Sequence, residues 1–433
     1  MINVEIRKER TSMELLEKVL DDKNLFRAYE QVYKNKGASG VDGITVDELG
    51  YYMYQHKEKI KEQIRGRKYK PSPVRKVYIP KENGDKRGLG IPTVVDRVIQ
   101  KAIVQVLSPI YEEQFSETSY GFRPNRSCEK AIIKLLEYFN DGYTWIVDID
   151  LQKFFDTVCH DKLISIIMKT IHDGELVSLI RKYLVSGVME NGIVSPTKVG
   201  TPQGGNLSPL LSNIMLNELD KELEKRGLRF TRYADDCVIV VKSEKAANRV
   251  MESITKFIEK KLGLKVNVEK SKVARPHQIK YLGFGFYYTK TGIIKPKPHL
   301  KSIQKFKRKL KQLTKRSLSI SLDKRFVKLN QVIRGWINYF RIADMKTYMQ
   351  SITSHLNRRI RCIIWKQWKV SNKRIESLRK LGCDEEQAKA IAYSRKKYWN
   401  TSLYISIFIT NKRLKQIGLI FPIEHYQKVH TVI

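Results

Sequence analysis

The sequence predicts an α+β protein whose strands lie in the first two thirds of the chain and whose last third is helical. Apolar or alternating runs bounded by turn residues indicate strands at 74–79, 87–91, 145–151, 228–231 and 238–241. Apolar residues at helical spacing indicate basic amphipathic helices at 301–313, 324–341 and 348–369, and three successive helices imply a small bundle. Residues 160–190 are also expected to be helical, and a short strand-like run is predicted at 403–409. At 433 residues the chain is too long for one compact core, so two or three domains are expected.

The positive charge is large and uneven. The chain has 82 Lys and Arg against 45 Asp and Glu, a formal net charge of +37. Residues 290–433 hold 34 Lys and Arg against 7 Asp and Glu, or +27 of that total. Such an excess is typical of a protein with a polyanionic partner. No apolar run approaches the roughly 18 residues that span a bilayer, and the N-terminus lacks a signal-peptide layout. We therefore expect nucleic acid in the cytoplasm as the partner, and no membrane.

The five cysteines are scattered. None of Cys128, Cys159, Cys237, Cys362 and Cys383 forms a CxxC pair with another. This odd, dispersed set argues against a disulfide framework and against a structural zinc site.

Acidic residues interrupt two apolar strands. Asp235 and Asp236 lie at the tip of a predicted hairpin over 228–241, and Asp148 and Asp150 lie in the predicted strand 145–151. Burying a carboxylate is costly unless a cation compensates it, and adjacent carboxylates repel one another. A Mg²⁺ site is the functional interpretation. A polar hairpin turn is the alternative, because Asp is common in turns.

Three further segments carry glycines or cations. The loop 36–43 contains three glycines, and the loop 200–209 is glycine-rich and opens a helix, which presents backbone N–H groups to a polar ligand. Lys81 and Arg87 flank the predicted hairpin 74–91, where cations suit a triphosphate. The alternatives are plain connections for the two loops and ordinary surface charge for the two cations.

The combination of these features favours two-metal nucleotidyl transfer. A polymerase needs two divalent ions held by carboxylates, one to lower the pKa of the primer 3′-hydroxyl and one to hold the triphosphate. Asp150 on one strand, with Asp235 and Asp236 on a hairpin, supplies such a set when the strands are neighbours in one sheet.

A series of motifs in order resembles the reverse transcriptase encoded by bacterial group II introns. The matching segments are Ile79-Pro80-Lys81, Arg87-Gly88-Leu89-Gly90-Ile91-Pro92, Ser119-Tyr120-Gly121-Phe122-Arg123-Pro124, Asp148 to Asp156, Thr201-Pro202-Gln203-Gly204-Gly205, Tyr233-Ala234-Asp235-Asp236 and Tyr281-Leu282-Gly283-Phe284. The segment Leu329 to Phe340 resembles the maturase-specific region of that family, domain X. Together these motifs cover nearly the whole chain.

The resemblance implies a metal site and a nucleotide site. Two Mg²⁺ ions, with Mn²⁺ as a substitute, would be held by Asp150, Asp235, Asp236 and the Leu151 carbonyl. The dNTP would be bound by Lys81, Arg87, Phe155, Gln203, Gly204 and Lys270. Phe155, in preference to Phe154, would be the steric gate that excludes a 2′-hydroxyl. Lys270, with Lys272 as the alternative, would be a general acid for pyrophosphate. Asp148 has no catalytic role in the family pattern.

The resemblance also implies nucleic-acid contacts. Primer and template would contact Gly37, Gly40, Arg123, Tyr233, Tyr281, Leu282, Gly283 and Phe284. RNA would bind to the basic helices through Arg334, Arg358, Arg359, Arg361 and Lys366.

The fold implied is a right-hand polymerase. Fingers and palm would occupy residues 1–290, with an N-terminal extension over 1–75, followed by an α-helical thumb and domain X over 291–370 and a basic DNA-binding region over 371–433. Many family members end in an H-N-H endonuclease domain with paired cysteines. That pattern is missing here, as in the class C introns, so we expect no target-strand cleavage by this protein.

The function implied is RNA-directed DNA synthesis together with maturase action in the splicing and retrohoming of a mobile intron. The expected partners are intron RNA, an RNA template with a DNA primer, a DNA target site and dNTPs, in the bacterial cytoplasm or at the nucleoid. One alternative is a splicing-only maturase, against which the intact acids argue. Another is a related enzyme of phage defence or CRISPR spacer acquisition, against which the domain X segment argues.

Overall fold

The computed structural model describes residues 15–80, 84, 86–201 and 204–432, which fall into two compact units. The first unit ends at Ala274 and the second begins at Arg275. Lys81 and Gln203, both predicted to bind the nucleotide, lie outside the described residues. None of the helices in the described ranges is long and apolar enough to cross a membrane.

The first unit combines helices with two four-stranded sheets. Its helices are α1 (described over 15–20), α2 (Asp22–Lys34), α3 (Leu49–Arg65), α4 (Val94–Glu112), α5 (Cys128–Asn140), α6 (Phe154–Thr157), α7 (His160–Met168), α8 (Gly174–Val185), α9 (Ser208–Lys225) and α10 (Glu244–Phe257), which continues into a π-helical turn, Ile258–Leu262. Its strands are β1 (Val74–Pro80), β2 (Lys86–Ile91), β3 (Trp145–Ile149), β4 (Val188–Glu190), β5 (Ile193–Ser195), β6 (Arg229–Tyr233), β7 (Asp236–Val241) and β8 (Lys272–Ala274).

The sheet that carries the acids is antiparallel, with strand order β6-β7-β3-β8. The two inner strands are β7 and β3, with Val147 opposite Ile239. From Cys237 to Val241 every residue of β7 is buried, as expected for a strand covered on both faces. The sheet therefore gives the acids a rigid base.

The other sheet of the first unit has the order β2-β1-β4-β5. β1 and β2 form the predicted hairpin, with Ile79 opposite Arg87. β4 pairs with β1 in parallel. This strand departs from the helix expected over 160–190, because Gly187 has a φ of +88°, and its carbonyl accepts the Val74 N–H at 3.0 Å. The left-handed glycine turns the chain out of α8 and into the sheet.

Several helices of this unit begin at residues whose side chains cap them. The side-chain oxygens of Thr93, Ser127, Asp173 and Ser243 each accept the backbone N–H three residues later. Such caps satisfy an otherwise unpaired N–H group. The start of α5 at Ser127 is therefore readable from the sequence.

The second unit joins a two-stranded hairpin to a bundle of helices. Its elements are a 3₁₀ turn (Pro276–Gln278), β9 (Phe284–Tyr288), β10 (Ile294–Pro298), α11 (Leu300–Leu313), α12 (Leu322–Tyr339), α13 (Lys346–Gln367), α14 (Ser371–Lys380), α15 (Glu385–Ala392), α16 (Tyr398–Tyr404), α17 (Asn411–Gln416) and α18 (Pro422–Val429). Phe306 stacks on Trp336 with ring centroids 4.4 Å apart, and Trp336 contacts Phe340 at 4.6 Å. These rings join α11 to α12, as the apolar spacing predicts.

Two features of this unit differ from the sequence expectation. The strand predicted over 403–409 is wrong, because Ile405 N–H donates to the Thr401 carbonyl and Ile409 N–H donates to the Ile405 carbonyl. These bonds to the fourth preceding residue satisfy the backbone locally, and a short apolar run does not distinguish a strand from a helix. The β9–β10 hairpin also belongs with the helices, since Asp344 N–H donates to Pro296 at 2.9 Å. The division into fingers, palm and thumb stays a prediction.

Candidate active site

The three predicted metal ligands lie at one end of the antiparallel sheet. Asp150 follows the last residue of β3, Asp236 is the first residue of β7, and Asp235 lies in the turn between β6 and β7. The β3–β7 register ends with Ile149 opposite Cys237. The next position in that register places Asp150 opposite Asp236.

The pKa of Asp235 responds to the charges of the groups around it. The side chain is half-buried, and burial raises the pKa of Asp235, as does the negative charge of Asp150. The positive charges of Arg87 and Arg232 act in the opposite direction and lower this pKa. Arg87 is exposed on β2, so the predicted triphosphate-binding cation from the other sheet lies within electrostatic reach of the acids.

The backbone at Leu151 directs a carbonyl to the same side. Gln152 N–H donates to Lys265 and Asn267 N–H donates to Asp150, both at 2.8 Å. These bonds flank the antiparallel bridge between Leu151 and Val266. A residue flanked in this way directs its own N–H and C=O away from its partner strand. The Leu151 carbonyl therefore points to the side on which β7 pairs with β3.

The donor set suits a hard divalent cation. Carboxylates and a backbone carbonyl are oxygen ligands of the type that Mg²⁺ takes. A cation would offset both the burial and the repulsion by Asp150 that raise the pKa of Asp235. Throughout the part of the chain that the structure describes, no three His, Cys, Asp or Glu side chains are already gathered around one point as a metal site. The acids are neighbours in the backbone at this end of the sheet, since Asp150 and Asp236 directly adjoin the paired residues Ile149 and Cys237.

A buried ion pair supports the turn that carries Asp235. Arg232 donates from Nε to Asp220 Oδ1 at 2.7 Å and from Nη2 to Asp220 Oδ2 at 2.5 Å, and both side chains are fully buried. Arg232 Nη1 also donates to the Ala234 carbonyl at 2.9 Å and to Asn213 Oδ1 at 3.0 Å. The guanidinium thus fixes the backbone one residue before Asp235.

A glycine packs against the other side of this turn. An added Cβ at Gly121 would lie 2.2 Å from the Ala234 nitrogen and 2.9 Å from the Tyr233 carbonyl carbon. Ala234 itself has a φ of +58°, an uncommon conformation for a residue with a side chain. Asn213 Nδ2 donates to the Gly121 carbonyl at 2.8 Å. The segment containing Gly121 is therefore a support for the turn.

Arg123 does not lie where a primer or template could touch it, so that prediction is corrected. Its side chain is 2% exposed and forms an ion pair with Glu112 at 2.8 Å. It also donates to the carbonyls of Ser116 and Ser119. These bonds fold the 116–123 loop around the guanidinium. Tyr233 is half-buried, and burial together with a hydrogen bond to Cys128 raises the pKa of Tyr233 to about 12.

The two phenylalanines after β3 have different surroundings. Phe154 is 2% exposed and belongs to the core, whereas Phe155 is half-buried and meets it edge-on with ring centroids 5.2 Å apart. Thr201 N–H donates to the Phe155 carbonyl at 2.6 Å. The glycine-rich loop therefore begins directly beside Phe155, and the exposure of its ring supports the choice of Phe155 as the gate.

Three glycines that were expected to approach nucleic acid or nucleotide also lie close to their own chain. A Cβ at Gly40 would lie 2.5 Å from Thr93 Cα, and one at Gly37 would lie 2.5 Å from Arg97 Nη1. Gly204 has a φ of +117°, and its Cβ would lie 2.4 Å from the Gly90 carbonyl oxygen. Gly40 is buried, which contradicts a template contact there. Gly204 is exposed on its other side, so a nucleotide contact stays a prediction.

The structure separates the two candidate lysines. Lys270 Nζ lies 3.9 Å from Asp150 Oδ2, and this side chain is 70% exposed. Lys272 lies opposite Asp148 in the β3–β8 register. Burial raises the pKa of Asp148 to about 6, while the charge of Lys272 lowers it and that of Asp150 raises it. Lys270 is therefore the lysine beside the predicted metal ligands, whereas Lys272 offsets the negative charge of Asp148.

Two family models match the chain. The model for reverse transcriptase (RNA-dependent DNA polymerase) matches residues 79–286, and the model for the group II intron, maturase-specific domain matches residues 303–382. Protein YkfC of Escherichia coli (strain K12) is 34% identical over 303 residues, which cover 61% of this chain and 79% of YkfC. The chain belongs to the group II intron-encoded reverse transcriptases.

Other relatives of this reverse transcriptase differ in length. The group II intron-encoded protein LtrA of Lactococcus lactis subsp. cremoris is 34% identical over 334 residues, which cover 62% of this chain and 55% of LtrA. The chain thus spans about half the length of LtrA. A chain of a solved structure titled "Partial Cas6-RT-Cas1–Cas2 complex" is 25% identical, covering 57% of this chain and 42% of its own, with a TM-score of 0.37. A score this low supports no functional argument.

The family confirms the predicted combination of domains. An RNA-directed DNA polymerase domain of mixed α/β structure is followed by a helical maturase domain. Reverse transcriptases use divalent metal ions, in line with the oxygen ligands at the end of β3 and β7.

In this reverse transcriptase the predicted primer-end segment 281–284 lies in the second unit. Tyr281 and Phe284 are 3% and 0% exposed, and they exchange backbone hydrogen bonds of 3.1 and 2.8 Å. Leu282 and Gly283 form the turn between them, with φ of +48° and +83°. The side chains of Tyr281 and Phe284 are unavailable to a primer, whereas the half-buried turn residues present backbone.

The five predicted RNA-binding side chains of the reverse transcriptase fall into two groups. Arg334 and Lys366 are exposed. Arg361 is buried and donates to the Ile409 carbonyl at 2.7 Å and to Asn411 Oδ1 at 2.8 Å. RNA binding by Arg361 is therefore corrected to a structural role, since its guanidinium holds the start of α17.

Arg358 and Arg359 are intermediate in exposure between these two groups. Arg358 donates to the Trp399 carbonyl at 2.8 Å and lies over the Trp399 ring at 4.0 Å. Arg359 donates to Thr314 Oγ1 at 2.6 Å and to the Thr314 carbonyl at 3.0 Å. Both are half-buried, so part of their positive charge is used within the unit.

Sequence reasoning missed the supports of the active site. Arg232 directly precedes the motif that contains Asp235 and Asp236. Its partners Asp220 and Asn213, however, both lie on the preceding helix, α9. The available signal was three polar residues, Asn213, Asn217 and Asp220, at helical spacing among the apolar residues of α9. Such residues on a buried face need partners.

Proposed function

We propose that this chain extends a primer on an RNA template with dNTPs and releases pyrophosphate. The observation that carries the proposal is that Asp150 and Asp236 directly adjoin the last paired residues of β3 and β7, Ile149 and Cys237, with Asp235 in the turn between β6 and β7. Two strands of one buried sheet hold these carboxylates, and the Arg232–Asp220 pair fixes the turn. A rigid pair of acid-bearing strands is what two-metal nucleotidyl transfer requires.

Two Mg²⁺ ions fit the proposed ligands Asp150, Asp235, Asp236 and the Leu151 carbonyl. When bound, they lower the pKa of the primer 3′-hydroxyl and balance the charge of the triphosphate. The chain supplies the positioning. Its acids lie at the end of β3 and β7, and Arg87 adds positive charge from β2 at the side where the triphosphate would lie.

The proposed nucleotide site is completed by residues around the turn after β3. The Phe155 ring would close the space that a 2′-hydroxyl needs, and Gly204 would leave room beside the templating base. Lys270, 3.9 Å from Asp150, would donate a proton to the departing pyrophosphate. Lys81 and Gln203 keep the roles that the family resemblance implies.

The second unit is proposed to act as the maturase. Intron RNA would lie on its basic helices, where Arg334 and Lys366 are exposed, and binding would stabilise the folded, splicing-competent RNA. The +27 charge of residues 290–433 supports this role. Binding of a DNA target by residues 371–433 and a cytoplasmic or nucleoid location belong to the same proposal.

The test is primer extension on an RNA template, run beside a splicing assay with the flanking intron. We expect DNA synthesis that requires Mg²⁺ and faster splicing in the presence of the protein. Splicing assistance without any DNA synthesis would show a splicing-only maturase. DNA synthesis without binding to the flanking intron would favour a different cellular role for the polymerase.

A further inference from the structure

A groove between α11 and α13 has the chemistry of a nucleotide site. Its volume is about 430 Å³, within the range of small-ligand pockets. The floor is apolar, formed by Leu310, Ile352 and Leu356. Lys307 and Lys311 line one side, on α11. No carboxylate is among the described residues that line it, so the groove combines an apolar floor with a positive rim.

The rim keeps its charge because the hydrogen-bond partners of its structural arginine are uncharged. Arg359 lines the groove and donates to the Lys311 carbonyl at 3.2 Å, the Thr314 carbonyl at 3.0 Å and Thr314 Oγ1 at 2.6 Å. These carbonyls belong to the C-terminal end of α11, which carries partial negative charge. The interaction orders Arg359 without cancelling its full charge. Because Arg308 of α11 also lines the groove, an anionic group at the rim would meet four cations.

A pair of aromatic rings borders the groove. His355 lines it and lies 5.3 Å from the Trp399 ring at an angle of 50°, and Arg358 covers Trp399 at 4.0 Å. Burial and the charges of Arg359, Lys307 and Arg358 lower the pKa of His355. An exposed aromatic ring beside an apolar floor is a platform for an unpaired base.

We propose that this groove binds one unpaired nucleotide of a structured RNA, with the base on the apolar floor beside His355 and its phosphate at Lys307 and Lys311. The proposal rests on the RNA binding proposed above and names the element that is recognised. The volume holds a single base and excludes a duplex. An acidic peptide would meet the same cations but would not use the His355 ring.

The test compares two RNA hairpins that differ by one bulged nucleotide, with 2-aminopurine at the bulge. We expect the full chain to bind the bulged hairpin about tenfold more tightly, since stacking one base on an aromatic ring has an effect of this order. The fluorescence of the bulged base should change on binding. The corresponding DNA hairpin should show a smaller preference.

Ser351→Trp is the blocking variant, because Ser351 is an exposed residue lining the groove and its replacement removes no charge. The preference for the bulge should disappear while affinity for the plain hairpin persists. Lys309→Gln is the matched control. Lys309 is exposed on α11 but does not line the groove, so this change should weaken binding to both hairpins equally and keep the preference.

Each outcome is informative. Equal binding of the two hairpins by the wild-type protein, or a preference that survives Ser351→Trp, would overturn the groove proposal and leave general RNA binding intact. Failure to bind either hairpin would instead remove the proposed RNA binding, and the groove proposal with it. Displacement of the bulged RNA by a poly-glutamate peptide more readily than by the plain hairpin would indicate a protein partner and overturn the proposal as well.

Discussion

Arg232 and Asp220 form a two-bond ion pair, 2.7 and 2.5 Å long, in which both side chains are fully excluded from solvent. Desolvating two charges is costly, and the cost is recovered only when every bond is made. The same guanidinium donates to the carbonyl of Ala234, beside the acids. Fold stability and acid placement therefore depend on one side chain.

Asp220→Asn should lower the free energy of unfolding by about 3–5 kcal/mol, because it leaves Arg232 buried without a counter-charge. Denaturant unfolding measures this effect. Asp141→Asn is the matched control. Asp141 forms an ion pair of 2.8 Å with Arg229, which lies on β6 like Arg232, but the Asp141 side chain is 60% exposed. Its effect should stay below about 1 kcal/mol. Equal effects of the two changes would contradict the structural role of the buried pair.

Asp235→Asn should reduce primer extension by about a thousandfold or more, the order of loss when a group that stabilises transition-state charge is removed. Intron RNA binding should stay near the wild-type level. Asp161→Asn, at an exposed ion pair with Arg181 on the surface of the first unit, is the control and should keep full activity. Parallel loss of extension and RNA binding would mean that Asp235 serves the fold.

Phe155→Val should raise the ratio of ribonucleotide to deoxyribonucleotide incorporation, because a smaller side chain makes room for a 2′-hydroxyl. Single-nucleotide extension with each substrate measures the ratio. Phe154→Val tests the neighbouring ring, which is 2% exposed. That change should leave the ratio unchanged and cost about 1–4 kcal/mol of stability through the cavity it creates. The opposite pattern would assign the gate to Phe154.

Arg334→Gln and Lys366→Gln should each reduce the slope of log affinity for intron RNA against log salt by roughly 0.7–0.9, the value for one lost phosphate contact. Binding titrations across a salt series give the slopes. Arg361→Gln should leave the slope unchanged, since its guanidinium is bonded to Ile409 and Asn411. Its effect should appear in stability. A lower slope for Arg361→Gln would place this residue at the RNA.

Much of the fold was predictable because its signals are local. The β1–β2 hairpin, the helix cap at Ser127 and the helices α11 to α13 follow from periodicity, turn residues and caps in short segments. The register that places Asp150 opposite Asp236 could not be read in this way. It joins strands that are more than eighty residues apart, and only the family resemblance connected them beforehand.

The predictions that failed did so for a shared physical reason. Gly40, Arg123 and Arg361 were assigned to nucleic acid through the family resemblance, and each is occupied by the protein itself. Glycine permits close approach of any backbone, and arginine binds carbonyls as readily as phosphates. Residue type names the interaction that a side chain can make, while only the tertiary structure identifies its partner.

The contact between Gly121 and Ala234 has a consequence for engineering. The 2.2 Å from an added Cβ to the Ala234 nitrogen leaves no space for even a methyl group. A chimera that takes the 233–236 turn from another polymerase must therefore also take the loop around Gly121, together with the residue at position 213 that binds its carbonyl. These three segments are distant in sequence but would have to be transplanted as a single module.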